Sequence, residues 1–342
     1  MAKGEEVLIF SRSEDGHRAQ YFQFAMGILG GCRARAGDLF FRMEPALFLM
    51  VEEGFLFYVV ACLWRSALGR RTVGLLFRPK PVLEGGSLRL SFKRCALKLL
   101  KRIPSVRTLT ILPFATLPEM AEIADGWIYD FQLWDLTDED HRYYEKIRQN
   151  PGEAISQLPA SLRFRAGSQR VLSAFGPQDL HKGFDLFVDT LAGSKRAGLP
   201  FHFVFGGKSG IGCIGLVSRF ERSGGSAIDR WLSEEEWIEL YAASDLVWCL
   251  YAPGYDQASG VLGRAVQFGV PVLVREGSLS HRLCETEGIP HLAATAESVS
   301  ALLARDLSAV DHRRGKALAG RFAETSLTTL HEVLGAPRDR AA

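Results

Sequence analysis

Short apolar runs recur along the chain, separated by longer stretches in which apolar positions return every three or four residues. The first run, "EVLIFSRS" (residues 6–13), ends in polar residues and predicts an opening parallel strand. "GHRAQYFQFAMGILGG" follows, with Tyr21, Phe22, Phe24, Met26 and Leu29 at helical spacing before the closing glycines. "ALFLMV", "RTVGLLF", "RTLTILPF" and "GWIYDF" predict further strands. Between them "LSFKRCALKLLKRI" reads as a helix, apolar at Phe92, Leu97 and Leu100 and basic at Lys93, Arg94, Lys98, Lys101 and Arg102.

Residues 141–168 interrupt this rhythm: the stretch is polar, carries Pro151 and Pro159, and reads in its later part as a linker. A second series then begins. "RVLSAFG", "PFHFVFGG", "DLVWCLYA" and "PVLVRE" predict strands; "KGFDLFVDTLAGSKRAG", "SEEEWIELYAAS" and "GVLGRAVQFG" predict helices between them. Ser233 followed by Glu236 predicts a capping box. A long amphipathic pattern, "HRRGKALAGRFAETSLTTLHEVLG", comes last before a frayed tail, "APRDRAA". Strands alternating with helices in both halves imply α/β architecture with two doubly wound parallel sheets. The expected domains are residues 1–160 and 161–315, with residues 316–336 a helix crossing back to the first. Ligands of such sheets gather at the carboxyl ends of the strands, so the expected site is the cleft between the domains.

At 342 residues, two cores are the natural expectation. A net charge of +2 and a pI near 8.2 give no reason to expect nucleic acid. The six cysteines form no C-x-x-C pair, which disfavours zinc and a redox dithiol and fits a reducing cytoplasm. "MAKGEEVLIFSRS" lacks the apolar core and cleavage site of a signal peptide. The most membrane-like stretch, residues 46–64, holds Glu52 and Glu53, each costing about 3 kcal/mol in lipid, and so reads as a buried helix or strand.

"GIGCIG" (residues 210–215) matches G-x-G-x-x-G, but it does not follow a first strand, and "LVSRFERSGG" after it predicts no convincing helix. "GGKSG" lacks the earlier glycine of a phosphate loop, His202 standing in its place. A glycine-rich loop after a strand accounts for both. Neither H-E-x-x-H nor G-x-S-x-G occurs.

A joint signal is stronger. "VLSAFGPQDLHKGFDLFVDTL", "FHFVFGG", "WLSEEEWIELYAASDLVWCLYAP" and "YDQASGVLGRAVQFGVPVLVREGS" appear in that order. Together they resemble the donor-binding half of family 4-like glycosyltransferases of the GT-B fold. Gly176 and the Lys182-Gly183 pair match the family's positions after the first strand of the second domain, with Pro177 where the family has arginine. Ala265, Gly269, Pro271 and Val272 match its A-x-x-x-G-x-P-V pattern. The resemblance implies two facing Rossmann-like domains and transfer of a sugar from a nucleoside-diphosphate donor to a hydroxyl, with retention and without metal or other cofactor. It also implies Lys182 on the donor diphosphate, and two ligand-reading positions that here hold Asp256 and Arg264 in place of glutamates. Asp256 retains an acceptor for sugar hydroxyls; Arg264 is donor-only and suits a phosphate instead. Ser259, Gly260 and Val261 open a helix after a loop, where backbone N–H groups favour an anion.

In the first half, the loop after the opening strand offers Gly16, His17 and Arg18: His17 as proton carrier or phosphate contact, Gly16 beside the donor, Arg18 toward the acceptor. Asp130 and Asp135 are further acceptor candidates. The expected partners are a nucleotide-sugar donor and a glycan or lipid-linked acceptor, with cytoplasmic localisation. The basic helix at residues 93–102 suggests peripheral contact with the inner membrane surface. A nucleotide-sugar epimerase and a non-catalytic sugar-nucleotide-binding protein remain as alternatives.

Overall fold

The computed structural model describes residues 6–13, 17–305 and 308–335, the side chain of His17 excepted. The chain divides into two compact units, Met1–Phe131 with Arg321–Ala342, and Gln132–Gly320. Each holds one six-stranded sheet, and among the described residues the paired strands run parallel.

The first sheet comprises β1 (Leu8–Phe10), β2 (Cys32–Arg33), β3 (Ala46–Phe48), β4 (Thr72–Leu76), β5 (Val106–Thr110) and β6 (Gly126–Trp127), in the order β2-β1-β3-β4-β5-β6. The central strands β3 and β4 are buried throughout, the condition under which parallel strands read as unbroken apolar runs. The membrane-like stretch resolves into β3, a tight turn at Val51–Gly54 and the helix Phe55–Ala67. Tyr58 of that helix lies flat against Gly74 of β4, where a Cβ would stand 2.6 Å from its hydroxyl, and bonds Thr108 of β5 at 3.0 Å. Residues 321–334 complete this unit: Tyr129 meets Phe322, and Ser326 Oγ accepts its backbone N–H at 3.0 Å.

The second sheet comprises β7 (Arg170–Phe175), β8 (Phe201–Gly206), β9 (Ser226–Ile228), β10 (Leu246–Cys249), β11 (Val272–Arg275) and β12 (His291–Ala294), in the order β12-β11-β10-β7-β8-β9. β7 and β8 run in register from Arg170 opposite Phe201 to Phe175 opposite Gly206. Phe184 and Phe187 from the helix Phe184–Arg196 meet Phe203, Phe205, Phe220 and Trp248 in the core beneath. The capping box at Ser233 and Glu236 is present at the start of Glu234–Ala243.

Two expectations change. The residues read as a linker form the helix Leu158–Ala166, preceded by Asp138–Gln149, and both belong to the second unit. Arg148 and Arg163 of these helices converge on Asp245 at 2.9 and 3.0 Å, so charges that look solvated in sequence bind the helices to the sheet. "IGLVSRFER" is a helix, Ile214–Arg222, its Val217 and Phe220 buried under the sheet despite the polar residues between them. The final helix, His312–Leu334, begins in the second unit and passes to the first between residues 320 and 321.

Candidate functional site

In the second unit the chain goes from β7 outward to β8 and β9, then returns to the other side of β7 to lay down β10. That reversal opens a crevice at the carboxyl ends of β7 and β10, the place where such sheets bind ligands. Two loops converge there. After β7, Gly176 has φ +78° and Gly183 φ +68°, conformations that favour glycine. A Cβ on Gly183 would stand 2.6 Å from the Leu250 carbonyl, and Ala252 N–H bonds the His181 carbonyl at 3.0 Å. The β7 loop is thereby docked on the β10 loop, backbone to backbone. Gln178, buried, fixes the other side: its amide donates to the Phe175 carbonyl at 2.6 Å, while its backbone joins the Lys208 and Gly210 segment after β8.

Lys182 projects into this framework. Its Nζ lies 3.4 Å from where a Cβ on Gly176 would be, and Trp237 closes the same spot at 3.5 Å. Burial lowers the pKa of its ammonium, and the nearby Cys249 and Asp179 act against that shift. Cys249 is itself held as a thiol, burial pushing its pKa up to about 12. Asp179 is occupied with the Lys182 backbone N–H at 2.9 Å. Among the described residues the ammonium has no carboxylate in ion-pair range.

The helix Gly260–Phe268 starts beside this loop pair. Ser259 caps it through Leu262 N–H, and Tyr251 holds the Ser259 hydroxyl at 3.0 Å. The Val261 carbonyl accepts Tyr241 OH at 3.0 Å. Gly260 and Gly263 are needed for a reason the sequence did not show: the Gln132 side chain lies on the first and its backbone on the second. Gln267, fully buried, holds that segment in place, donating to the Gln132 carbonyl and Asp135 at 2.9 Å each and accepting from Leu136 N–H at 3.1 Å.

The two charged positions singled out in the sequence have partners within this unit. Asp256 accepts the Leu279 N–H at 2.8 Å, at the start of the helix Leu279–Glu287, and faces Arg275 at 3.4 Å. Arg264 faces Asp135 at 3.7 Å. Burial raises the pKa of Asp135, with Arg264 opposing. Asp135, expected on the acceptor side of a first domain, therefore belongs to the second unit and meets Arg264 there.

The remaining candidates lie in the first unit. Gly16 falls outside the described residues; His17 opens the helix His17–Leu29, and only its backbone is described. Arg18 pairs with Glu53 at 2.7 Å. Asp130 is buried and accepts the Tyr21 hydroxyl. The structure thus brings Lys182, Ser259, Gly260 and Val261 to neighbouring loops of one sheet. Gln132, Gln178 and Tyr251 were missed, since uncharged side chains in loops carry no periodic signal.

No family model matches the sequence, and no curated protein does. Solved structures do match. HepE (Alr3699) of Anabaena, in complex with UDP, superposes with a TM-score of 0.62 at 13% identity, over 96% of this chain and 99% of that one. A UDP-forming alpha,alpha-trehalose-phosphate synthase of Burkholderia xenovorans, in complex with glucose 6-phosphate, gives 0.58 at 10% identity, over 94% and 78%. The catalytic domain of starch synthase IV of Arabidopsis thaliana, bound to ADP and acarbose, gives 0.52 at 12%, over 94% and 78%. The chain has the two-unit α/β architecture of the GT-B fold.

Proposed function

We propose that the protein is a glycosyltransferase that moves a sugar from a nucleoside-diphosphate donor to a hydroxyl of a glycan or lipid-linked saccharide, with retention and without a metal ion. The observation that carries this is the Lys182 ammonium, desolvated at the β7/β10 crevice with no carboxylate paired to it among the described residues. An ammonium so placed is stabilised by an arriving anion. Two parallel sheets of GT-B type and neighbours that bind UDP or ADP make a nucleoside diphosphate the first candidate.

In the proposed reaction the bond between the anomeric carbon and the diphosphate oxygen breaks, and negative charge grows on the leaving oxygen. Lys182 and the backbone N–H groups of Gly260 and Val261, at a helix start where intrahelical acceptors are lacking, would stabilise that charge. The acceptor oxygen forms the new bond to the same carbon and releases its proton. His17 is the proposed proton carrier, with Gly16, Arg18 and Asp130 as proposed contacts on the first unit.

A thermal-shift series with UDP, GDP, ADP and TDP tests the donor half, and transfer of labelled sugar to acceptor extracts, with and without EDTA, tests the rest. Failure of every nucleoside diphosphate to stabilise the protein would end the proposal. A second reading, a sugar-nucleotide-binding protein without catalysis, is favoured by the internal partners of Asp256 and Arg264. Stabilisation by UDP, with neither transfer nor donor hydrolysis, would select it.

A further inference from the structure

The first unit carries an apolar surface that its own core does not use. On the helix Phe55–Ala67 the outward positions are Leu56, Val60, Leu63 and Trp64, the i, i+4, i+7, i+8 stripe of one face, exposed by 66, 48, 53 and 50%. The one charged residue of that helix, Arg65, points the other way, buried and bonded to Thr72 Oγ1 and the Leu39 carbonyl at 3.0 Å each. The stripe does not end at the helix. Trp64 donates to the Phe40 carbonyl at 3.0 Å, and beside Phe40 stand Phe41 and Met43, both exposed. In the other direction Phe55 meets Phe92 of the helix Leu88–Leu100, ring to ring at 6.3 Å, where Leu88, Phe92 and Leu99 also face out.

The acids nearest this surface are already engaged, Glu44 with Arg42, Glu84 with Lys80 and Asp38 with the Arg35 backbone N–H. Neither helix contains an aspartate or glutamate. Arg89 and Arg102 are exposed, with no acidic partner among the described residues. The basic residues that stood out in sequence contribute less: Lys93 is buried and reaches the Glu52 carbonyl, and Arg94 and Lys98 share Glu122. An exposed apolar face of this extent marks a contact surface. Bulky apolar and aromatic side chains on two helices without acids, with the exposed Arg89 and Arg102 beside them, match the interface of a negatively charged bilayer, where apolar groups enter the headgroup boundary and cations meet the lipid phosphates. Among the described residues no helix is long and apolar enough to cross a membrane, so the contact is interfacial.

We infer that the face formed by Leu56, Val60, Leu63 and Trp64, with Phe92 and Leu99, docks on an anionic lipid surface. The inference stands on the first unit alone and is independent of the transferase reading.

Co-sedimentation of the full chain with vesicles tests it: phosphatidylcholine alone against phosphatidylcholine with about a third phosphatidylglycerol. The wild type is expected to partition to the anionic vesicles and to leave them at high salt. Leu56→Gln with Leu63→Gln, at exposed positions where the melting temperature should hold, is expected to reduce partitioning about tenfold or more. Ile214→Gln, an exposed apolar position of the second unit, should leave it unchanged. The inference is overturned if the wild type ignores anionic vesicles, or if the double variant binds them as the wild type does. It is also overturned if the wild type is a dimer in solution that the double variant converts to monomer without any lipid binding, which would make the occupant a second copy of the chain.

Discussion

Replacing Lys182 by methionine separates its proposed task from its structural cost. In the free protein the ammonium is desolvated over Gly176, and Asp179, the acid nearest in the loop, is already engaged with a backbone N–H. Lys182 is half-buried, so its uncompensated ammonium costs about 1 kcal/mol, the low end for a fully buried polar group. Methionine keeps the length of the stem, so Lys182→Met should stabilise the ligand-free protein by about 1 kcal/mol, or about 2–4 °C in melting temperature for a domain of this size. The same change removes the cation from a desolvated pair with the diphosphate, a loss of about 2–4 kcal/mol, or roughly 30- to 1000-fold in affinity for UDP. Calorimetry on both proteins reads the affinities, and thermal melts without ligand read the stabilities. A variant that melts lower and binds UDP with unchanged affinity would refute the reasoning on both counts.

Further outcomes follow from the same geometry. Because burial lowers the pKa of Lys182, affinity for a nucleoside diphosphate should decline as pH rises through that lowered value, below the ordinary lysine 10.5, and Lys182→Met should abolish the decline; titration calorimetry across alkaline pH checks it. Gly183→Ala forces a side chain into φ +68° against the Leu250 carbonyl and should cost about 1–3 kcal/mol, together with most of the stabilisation by UDP, both read by thermal melts. Gln267→Ala leaves the Leu136 N–H and the Gln132 carbonyl without their buried partner and should destabilise by about 1–3 kcal/mol in urea unfolding. His141 is held neutral, burial pushing its pKa down to about 4 from 6.5, with His312 beside it at 2.9 Å. The unfolded chain binds that proton more readily, so stability is full above pH 6.5 and declines as pH falls toward 4. His141→Phe should flatten this decline in melts taken across the window.

The alternation of strands and helices was readable because parallel strands buried on both faces leave unbroken apolar runs, as in "RVLSAFG" and "PFHFVFGG". β2, β9 and β12 were not, being two to four residues long and only partly buried. Of the site, Lys182 and the helix start at Ser259 and Gly260 were legible from local chemistry: a basic residue and a capping residue after strands. Their surroundings were not. Gln132 is far from Gly260 in sequence, and a single glutamine in "DFQLWD" gives no sign of lying against a distant glycine. Asp256 and Arg264 illustrate the complementary difficulty. Their charges were conspicuous, but the partners that engage them, Arg275 with Leu279 and Asp135, are fixed only by the folded sheet.

The passage of the last helix from one unit to the other bears on the order in which the molecule is made. The second unit is a single uninterrupted segment, so all of its strands and helices are available as soon as residue 320 has been synthesised. The first sheet emerges earlier, yet Tyr129 must wait for Phe322 and Ser326, the latter 197 positions downstream. During translation the N-terminal core stays open at that edge, exposed to chaperones or to aggregation, until the whole second unit has been synthesised.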